Sequence, residues 1–374
     1  MPLVSVAKVK DGHRNGRIDA KVGSVEGWKR GAPILPFFHS SSQTFQSHKR
    51  AQESCVRLIE NMAKIKIGII GSGGMARHHL ARFSAMETVD LVAIASRNEQ
   101  TGSHLATEHR TVFVSEWHRL IEREDIDGIV ICTHNDSHGE IVLAALQADK
   151  HVFVEYPLAS DVDEGEAALK LAEKRGRVLR VSHPEVVSNT HKALKQKIRE
   201  LGDLLLTSFV RLTPGRGSRP EILFNLPVSG TPAHFFIYHI YPIVDFFGGA
   251  TSVKKSAAYE GLRENGQYDR FVNTLTVEFE RGGIGQWTWA GGIAINAAEE
   301  HERYVLTEGT ISDAGGEWHC TTPTGVTPIV IPDSPQPTLQ ALWLSEIRDA
   351  ADQPPNLEDA AVALEAIRIS LASE

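Results

Sequence analysis

Residues 67–76 read IGIIGSGGMA, a short apolar run that passes directly into the pattern Gly-x-Gly-x-x-Ala. Between a strand and a helix, Gly71 would make the tight turn, Gly73 would let the backbone approach a pyrophosphate, and Ala76 would let helix and strand pack closely. The first turn of the helix also offers unpaired N–H groups and a partial positive charge to a phosphate. The pattern therefore predicts a dinucleotide-binding turn, and a glycine-rich turn without a ligand is the alternative. The expected cofactor-binding residues of the turn are Gly71, Ser72, Gly73, Gly74, Met75 and Ala76.

Short apolar runs alternate with amphipathic stretches from residue 64 to residue 184. The predicted strands, rich in Ile and Val, are residues 65–70, 91–95, 128–132, 151–155 and 178–181. The predicted helices are residues 75–86, 116–123, 138–147 and 163–174. Such alternation indicates right-handed crossovers and a parallel sheet covered by helices on both faces. We therefore predict an α/β fold whose first domain, residues 64–184, is a doubly wound Rossmann sheet.

The pattern changes after Pro184, and residues 185–374 are predicted to form an α+β domain with an open, mostly antiparallel sheet. A helix over residues 191–200 is followed by predicted strands at 204–212, 252–259, 271–279, 285–289 and 304–307. Residues 281–283, Arg-Gly-Gly, are typical of a hairpin turn because glycine tolerates positive φ. Two C-terminal helices are expected over residues 339–349 and 357–372. We expect this domain to bind the substrate and to mediate oligomerisation.

Residues 1–62 differ from the rest, with a basic excess, the serines 40–42 and no long apolar segment. A flexible extension, an upstream translation artefact and an organelle-targeting segment are the alternatives, and Asp11, Asp19 and Glu26 weaken the last of these. A secretory signal is not expected, because no apolar region of the needed length is present.

The composition favours a soluble enzyme with a small-molecule substrate. The net charge is -8 with mixed signs along the chain, so neither nucleic acid nor an anionic membrane surface is an expected partner. No apolar run reaches the ~18 residues of a membrane span. The three cysteines are scattered without metal-type spacing, so no metal site and no disulfide framework are expected. A reducing, cytoplasmic location fits best, with organelle targeting by the N-terminal segment as the alternative.

The end of the second predicted strand bears on cofactor choice. NAD-specific proteins usually place an acidic residue there to bind the ribose hydroxyls, whereas this chain reads Ala95-Ser96-Arg97-Asn98. Ser96 and Arg97 are suited to a 2′-phosphate, so NADP(H) is favoured over NAD(H). The alternative is that Arg97 stacks on adenine or lies in solvent.

Two further polar segments follow strands of the parallel sheet, at the edge where such sheets bind ligands. They are residues 133–138, Thr-His-Asn-Asp-Ser-His, and residues 155–158, Glu-Tyr-Pro-Leu. Together with the glycine turn they resemble the glucose-fructose oxidoreductase, inositol dehydrogenase and MocA (Gfo/Idh/MocA) family, which carries Thr-Pro-Asn-x-x-His and Glu-Lys-Pro there. The resemblance covers about residues 64–370. It implies that Thr133, His134, Asn135, His138, Glu155 and Tyr156 contact the cofactor, and that subunits associate through the open sheet as a homodimer or homotetramer.

The departures from this family concern the catalytic residues. Tyr156 stands where the family has its proton-transferring lysine, and in the later Asp-x-Gly-x-His-x-x-Asp motif His239 alone is retained. Glu-Tyr-Pro is similar to the biliverdin reductase branch, and the similarity extends through residues 176–179, 183–187 and 245–248. The arginine that this branch uses near its bilin falls on His239.

Tyr156 and His239 are the candidate catalytic residues. A phenol has a reference pKa of ~10, so Tyr156 is expected to be protonated and to serve reduction more readily than oxidation. Oxidation would need a base, for which His239 is the candidate; packing roles are the alternative for both. The weaker substrate-binding candidates are His183, Glu185, His234 and Tyr238.

The aromatic run 232–241 has helical spacing that would bring His239 and Phe235 or Phe236 to one face. Trp287, Trp289 and Tyr304 are expected in the sheet or at a subunit contact. Three functions remain open at this point. The first is an NAD(P)-dependent oxidoreductase that moves a hydride to or from a carbonyl or alcohol of a sugar-like or cyclic molecule. The others are an NADPH-dependent bilin reductase and a catalytically silent NAD(P)-binding sensor.

Overall fold

The computed structural model describes residues 63–217, 219–314 and 316–372. The expectations for residues 1–62 therefore lie outside the described residues. The first sheet consists of β1 (Ile65–Ile70), β2 (Val89–Ala95), β3 (Val112–Val114), β4 (Gly128–Ile131), β5 (His151–Glu155) and β6 (Leu179–Ser182). The helices between these strands are α1 (Gly74–Ser84), α2 (Glu99–Glu108), α3 (Trp117–Ile121), α4 (His138–Gln147) and α5 (Val162–Arg175). The six strands are all parallel and lie in the order β3-β2-β1-β4-β5-β6. This order confirms the predicted Rossmann sheet.

The core of this sheet follows from the apolar runs that predicted its strands. Ile67, Ile129 and Val152 are fully buried, each stabilising the fold by about 1.5–3 kcal/mol relative to an exposed side chain. A C-terminal helix closes one side, where the buried Trp343 packs edge-on against Phe153. A Cβ on Gly128 would lie 2.7 Å from the Trp343 ring, so the close approach needs a glycine.

The second sheet follows helix α6 (Asn189–Glu200). Its strands are β7 (Leu204–Pro214), β8 (Ala250–Glu260), β9 (Arg270–Phe279), β10 (Ile284–Ile293), β11 (Glu299–Leu306), β12 (Gly309–Ala314), β13 (Glu317–Thr322) and β14 (Gly325–Pro328). The order is β14-β13-β12-β11-β7-β10-β9-β8, and only β7 and β10 pair in parallel. The prediction of a mostly antiparallel sheet is therefore confirmed, and β12 to β14 extend it beyond the predicted strands.

Short helices connect β7 to β8, and two longer ones complete the chain. They are α7 (Pro220–Leu223), α8 (Leu226–Ser229), α9 (Pro232–Phe235), α10 (Tyr241–Phe247), α11 (Leu339–Asp349) and α12 (Glu358–Leu371). Helix α12 packs against α5, β6 and α10, so it joins the parallel sheet to the segment that precedes β8. In the described part of the chain, no helix combines the length and the apolar character needed to cross a bilayer.

The aromatic run 232–241 is not one helix, contrary to the expectation. Helix α9 ends at Phe235, a 3-10 turn covers Ile237–His239, and α10 starts at Tyr241. Pro242 lies in the first turn of α10, and its missing N–H prevents an uninterrupted helix through this point. Phe236 and His239 still stack, with ring centroids 5.5 Å apart.

Trp287, Trp289 and Tyr304 lie on the helix-covered face of the second sheet and are buried within the chain. Trp287 and Trp289 point their indole N–H groups at the backbone oxygen and Nδ1 of His239, each at 3.1 Å. Of the two expected places for these side chains, the sheet is therefore confirmed, since their own chain covers them. The opposite face remains partly exposed, including Val272 and Ile284.

Candidate cofactor and substrate site

The glycine turn after β1 has the geometry that a dinucleotide needs. Gly71 has φ +128°, and a Cβ there would lie 2.4 Å from the backbone oxygen of Cys132, so only glycine fits. Gly73 caps α1 without a side-chain hydrogen bond, and Cβ atoms on Gly73 or Gly74 would meet nothing within 4 Å. Met75 is exposed on the first turn, and Ala76 is fully buried beneath it. The residues present thus fit a pyrophosphate on the backbone N–H groups of this helix end.

A cluster of hydroxyl groups lies beside this turn at the end of β2. The Ser72 Oγ is 2.7 Å from both the Ser96 Oγ and the Thr101 Oγ1. Asn98 caps α2 by accepting the backbone N–H of Thr101. Arg97 is exposed and forms no ion pair with the described carboxylates. Thr101 was not among the predicted residues, although the Asn98 capping pattern marks its position.

The segment after β4 supports the loop that carries Tyr156. The buried His138 has its Nδ1 2.7 Å from the backbone oxygen of Pro157, and burial lowers its pKa. The ring is therefore neutral, and the short contact is an N–H donated to this oxygen. The Ser137 hydroxyl donates to the Thr133 hydroxyl at 2.9 Å, and Ser160 donates to the backbone oxygen of Asn135 at 2.9 Å. His134 precedes this turn and makes no side-chain cap hydrogen bond.

Glu155 lies beneath Tyr156 in a buried network. Its Oε1 is 2.6 Å from the His79 Nε2, and the Gln340 amide Nε2 is 2.8 Å from the His79 Nδ1. All three side chains are buried. The network links α1, the end of β5 and α11, so it holds the last residue of β5, which precedes Tyr156, in place. His79 and Gln340 were missed because no sequence spacing relates residues so far apart.

Tyr156 belongs to a column of stacked rings. Its ring centroid is 5.6 Å from that of His183, which in turn lies 3.7 Å from that of Tyr241. The Tyr241 hydroxyl donates to the Asp359 Oδ1 at 2.6 Å, which anchors the column to α12. Tyr238 packs on another side of Tyr156 at 5.4 Å. Burial, followed by the effects of Tyr238 and Glu155, raises the pKa of Tyr156 to about 12, so the phenol is protonated at neutral pH.

His183 is buried, and its Nε2 has no hydrogen-bond partner among the described residues. Burial lowers the pKa of His183 to about 3. The His183 ring is therefore neutral and packed beside Tyr156, and its Nε2 is left without a hydrogen bond to the described residues.

His239 lies on the other side of Tyr238, with ring centroids 4.2 Å apart. Burial and the Arg211 guanidinium lower its pKa well below the ordinary value, so it is neutral. Because its Nδ1 accepts the indole N–H of Trp289, its proton lies on Nε2. In this tautomer neither ring nitrogen offers a free lone pair, so the arrangement makes His239 a hydrogen-bond donor rather than the base expected for oxidation.

The remaining predicted residues fall in two places. His234 is buried against α12, its Nδ1 3.1 Å from the Ser370 hydroxyl, and so contacts a different element from Tyr156. Glu185 is exposed and raises the pKa of both Tyr156 and Tyr238 through its charge. The structure thus brings Tyr156, His183, Glu185, Tyr238 and His239 together and places His234 elsewhere.

Three charged residues on the second sheet were not predicted. Arg211 on β7 forms an ion pair with Glu300 on β11, and the His239 Nε2 is 3.9 Å from the Glu300 Oε1. Glu302 accepts the Tyr304 hydroxyl, and burial raises its pKa to about 7. The alternation of buried and exposed residues along β7 and β11 identifies the covered face of each strand. Only the pairing of the two strands shows that Arg211 and Glu300 lie opposite each other. Within the described residues, no group of His, Cys, Asp and Glu is suited to hold a metal ion.

Comparisons with known proteins relate these features to a family. Residues 65–183 match the family model GFO_IDH_MocA, described as "Oxidoreductase family, NAD-binding Rossmann fold". The 4-carboxy-2-hydroxymuconate-6-semialdehyde dehydrogenase of Sphingobium sp. is 30% identical over 138 residues, which are 36% of this chain and 43% of that protein. Biliverdin reductase A of Mus musculus is 28% identical over 169 residues, 45% of this chain and 52% of that protein. The chain thus spans about half the length of these curated relatives.

A crystal structure of the biliverdin reductase of Synechocystis sp. with biliverdin and NADP+ has a similar fold. The TM-score is 0.70 at 22% identity, and the match covers 82% of this chain and 96% of that chain. At this identity the match concerns the fold, and it includes both sheets. The glycine turn, the order of the parallel strands and the family match agree with one another. Residues 65–183 of this chain thus match the model of the Gfo/Idh/MocA family of NAD-binding oxidoreductases, in sequence and in the order of the parallel strands.

Proposed function

We propose that this chain is an NAD(P)-dependent oxidoreductase that transfers a hydride between nicotinamide and a carbonyl or alcohol of a sugar-like or cyclic small molecule. The observation that carries the proposal is the position of Tyr156. It follows β5 directly, at the edge of the parallel sheet that also carries the glycine turn, and its phenol is held protonated. A protonated phenol at this edge is suited to act as a general acid on a substrate oxygen.

The cofactor supplies the hydride chemistry when it is bound to the glycine turn. The residues of the chain have separate tasks around it. Tyr156 holds the proton that a substrate oxygen receives during reduction. His138 fixes the loop through the Pro157 oxygen, and the Glu155–His79 pair supports it from below. His183 and Tyr238 restrict the position of the phenol by packing on it, and they exclude water from that side.

NADP(H) is the proposed cofactor rather than NAD(H). Ser72, Ser96 and Thr101 present hydroxyl groups at the end of β2, where a carboxylate would repel a 2′-phosphate. Arg97 follows immediately and forms no ion pair with a described carboxylate, so its guanidinium is available to a phosphate. A fluorescence titration of the purified chain with NADPH and NADH measures this preference directly, and equal or stronger binding of NADH would contradict it.

A second candidate function is the reduction of a bilin. Tyr156 in place of a lysine, the likeness to a biliverdin reductase fold and the stacked rings beside Tyr156 all favour a flat, conjugated substrate. One experiment separates the candidates: the protein is incubated with NADPH and either biliverdin or a panel of sugar-derived ketones. Bilirubin absorbance supports the bilin reductase, whereas NADPH oxidation with a ketone supports the leading proposal. NADPH binding without turnover of any compound would indicate the silent sensor instead.

A further inference from the structure

Glu155 carries a negative charge at the ligand-binding edge of the parallel sheet. The Gln340 amide nitrogen donates to the His79 Nδ1 at 2.8 Å, so the His79 proton lies on Nε2, which donates to the Glu155 Oε1 at 2.6 Å. The second carboxylate oxygen, Oε2, has no hydrogen-bond partner among the described residues, so a proton on it would lack an acceptor there. His79 is therefore a neutral donor and Glu155 an ionised acceptor, and the three side chains together carry one negative charge.

The Glu155 carboxylate is still open at one side. The side chain keeps 8% of its surface accessible. Oε2 has no partner among the described residues, and yet it is not one of the enclosed polar atoms that lack a partner. Oε2 therefore belongs to the accessible part of the side chain.

Strand pairing places Glu155 in one row with the glycine turn. The last residues paired between β1, β4 and β5 lie side by side, and the residues that follow them are Gly71, Cys132 and Glu155. Neighbouring strands are about 4.8 Å apart, so the backbone of Glu155 lies about 10 Å from that of Gly71. A charge acts over such a distance where the protein excludes water. A nucleotide bound beside the glycine turn is therefore within range of the Glu155 carboxylate.

The order of the strands indicates which half of the dinucleotide lies near Glu155. The order reverses direction between β1 and β4, and a dinucleotide binds at such a point with one nucleotide on each side. The hydroxyl groups of Ser72, Ser96 and Thr101, the proposed contacts of the 2′-phosphate, lie on the β2 side. The nicotinamide half therefore belongs on the side of β4 and β5, where Glu155 is the last residue of its strand.

We propose that the Glu155 carboxylate favours the oxidised, positively charged nicotinamide over the reduced, neutral one, and that His79 and Gln340 are positioning residues that keep this carboxylate ionised and fixed. This inference rests on the part of the proposed function that places NADP(H) on the glycine turn. Positive charge grows on the nicotinamide while a hydride passes to the substrate, and a fixed negative charge nearby stabilises it without reorganisation. Glu155 thereby tightens NADP+ binding and assists hydride donation.

The test compares NADP+ and NADPH binding by calorimetric titration of the full chain and its variants. Glu155→Gln keeps the size of the side chain and an acceptor for the His79 N–H group, and it removes the charge. We expect NADP+ to bind about tenfold more weakly in this variant and NADPH to stay within about twofold of the parent, as one charge at about 10 Å permits. An unchanged ratio of the two dissociation constants would overturn the proposal.

Two variants of His79 test the same charge by another route. His79→Lys brings an ammonium group to the Glu155 carboxylate, so it should shift the ratio about as far as Glu155→Gln does. His79→Gln keeps a neutral N–H donor and should leave the ratio close to that of the parent. This pair decides the matter if Glu155→Gln does not fold. Equal ratios in the two His79 variants would contradict an effect of charge.

Asp245→Asn is the matched control, because Asp245 also accepts a hydrogen bond from a buried histidine. Its Oδ2 lies 2.6 Å from the His191 Nε2, and the pair joins α10 to α6 rather than to the parallel sheet. This variant removes a carboxylate of the same kind and should leave the ratio unchanged. A shift as large as that in Glu155→Gln would overturn the assignment to Glu155.

Binding readouts keep this inference separate from the proposed function. If both nucleotides bind and the ratio shifts as expected while no carbonyl compound is turned over, the inference stands and the proposed hydride transfer fails. If a carbonyl compound is reduced and the ratio is unchanged in Glu155→Gln, only the inference fails. Absence of binding of both nucleotides to the parent would overturn both.

Discussion

Replacing Tyr156 by phenylalanine removes one oxygen atom and leaves the stacked rings in place. The phenol oxygen makes no hydrogen bond within the described residues, and the ring packs on His183 and Tyr238. We therefore expect the free energy of unfolding to change by less than about 0.5 kcal/mol. NADPH affinity should stay within about twofold of the parent, because the glycine turn is unaffected. The kcat for reduction should fall about 10²- to 10⁴-fold, the usual contribution of a positioned general acid.

The assay is steady-state NADPH oxidation with any carbonyl substrate found in the panel, together with urea unfolding of both proteins. Tyr238→Phe is the control, since it removes a phenol from the neighbouring ring. Because the pKa of Tyr156 is about 12, its ionisation should add no pH dependence to the parent's reduction rate between about pH 6 and 9. A Tyr156→Phe variant that keeps more than about a third of kcat would refute the assignment of Tyr156 as the acid.

Three further variants, and one control for the first of them, test other parts of the chain. Gly71→Ala places a Cβ 2.4 Å from the Cys132 oxygen at positive φ, so it should abolish NADPH binding and cost at least about 3 kcal/mol of stability in urea unfolding. Gly282→Ala, at positive φ with an open Cβ position, should cost less and retain binding. Arg97→Gln should weaken NADPH binding about tenfold in a fluorescence titration and leave NADH unchanged; equal losses would exclude contact with the 2′-phosphate. Burial raises the pKa of Glu302 to about 7, so the folded state favours the protonated carboxyl. The contribution of this group to the free energy of unfolding is therefore complete below about pH 4.5 and is lost as pH rises through about 7. Glu302→Gln should therefore stabilise the fold by up to about 3 kcal/mol at pH 8 and have little effect at pH 4.5 in urea unfolding, and an equal effect at both pH values would contradict this.

Much of the fold could be predicted because its strands have a strong local signal. The parallel strands are nearly continuous runs of Ile and Val, since both faces of the sheet are covered. Helix α2 and strand β3 were missed because both lack a run of buried apolar residues. Helix α2 is mostly polar with few buried residues, and β3 has three residues, none of them fully buried. The break in the aromatic run was also missed, because the rings continue at helical spacing across Pro242, which starts a new helix.

The candidate site was less predictable, because only part of it lies within short segments. Gly71 and Tyr156 have local signals in a turn and in a strand end. The Glu155–His79–Gln340 network and the Arg211–Glu300 pair join residues that are distant along the chain. Their side chains meet only through helix docking and strand pairing, which residue spacing does not encode.

His183 and His239, beside Tyr156, show how the folded environment favours reduction over oxidation. From the sequence, His239 was the alternative base, because an exposed imidazole has a pKa of ~6.5. In the folded chain, the Trp289 N–H occupies one nitrogen of His239 and a proton the other, and burial keeps His183 neutral at a pKa of about 3. The Tyr156 phenol likewise resists losing its proton. All three groups therefore keep their protons near neutral pH and can donate hydrogen bonds to a substrate oxygen. None of them is suited to remove a proton from an alcohol, so we expect reduction to be faster than oxidation.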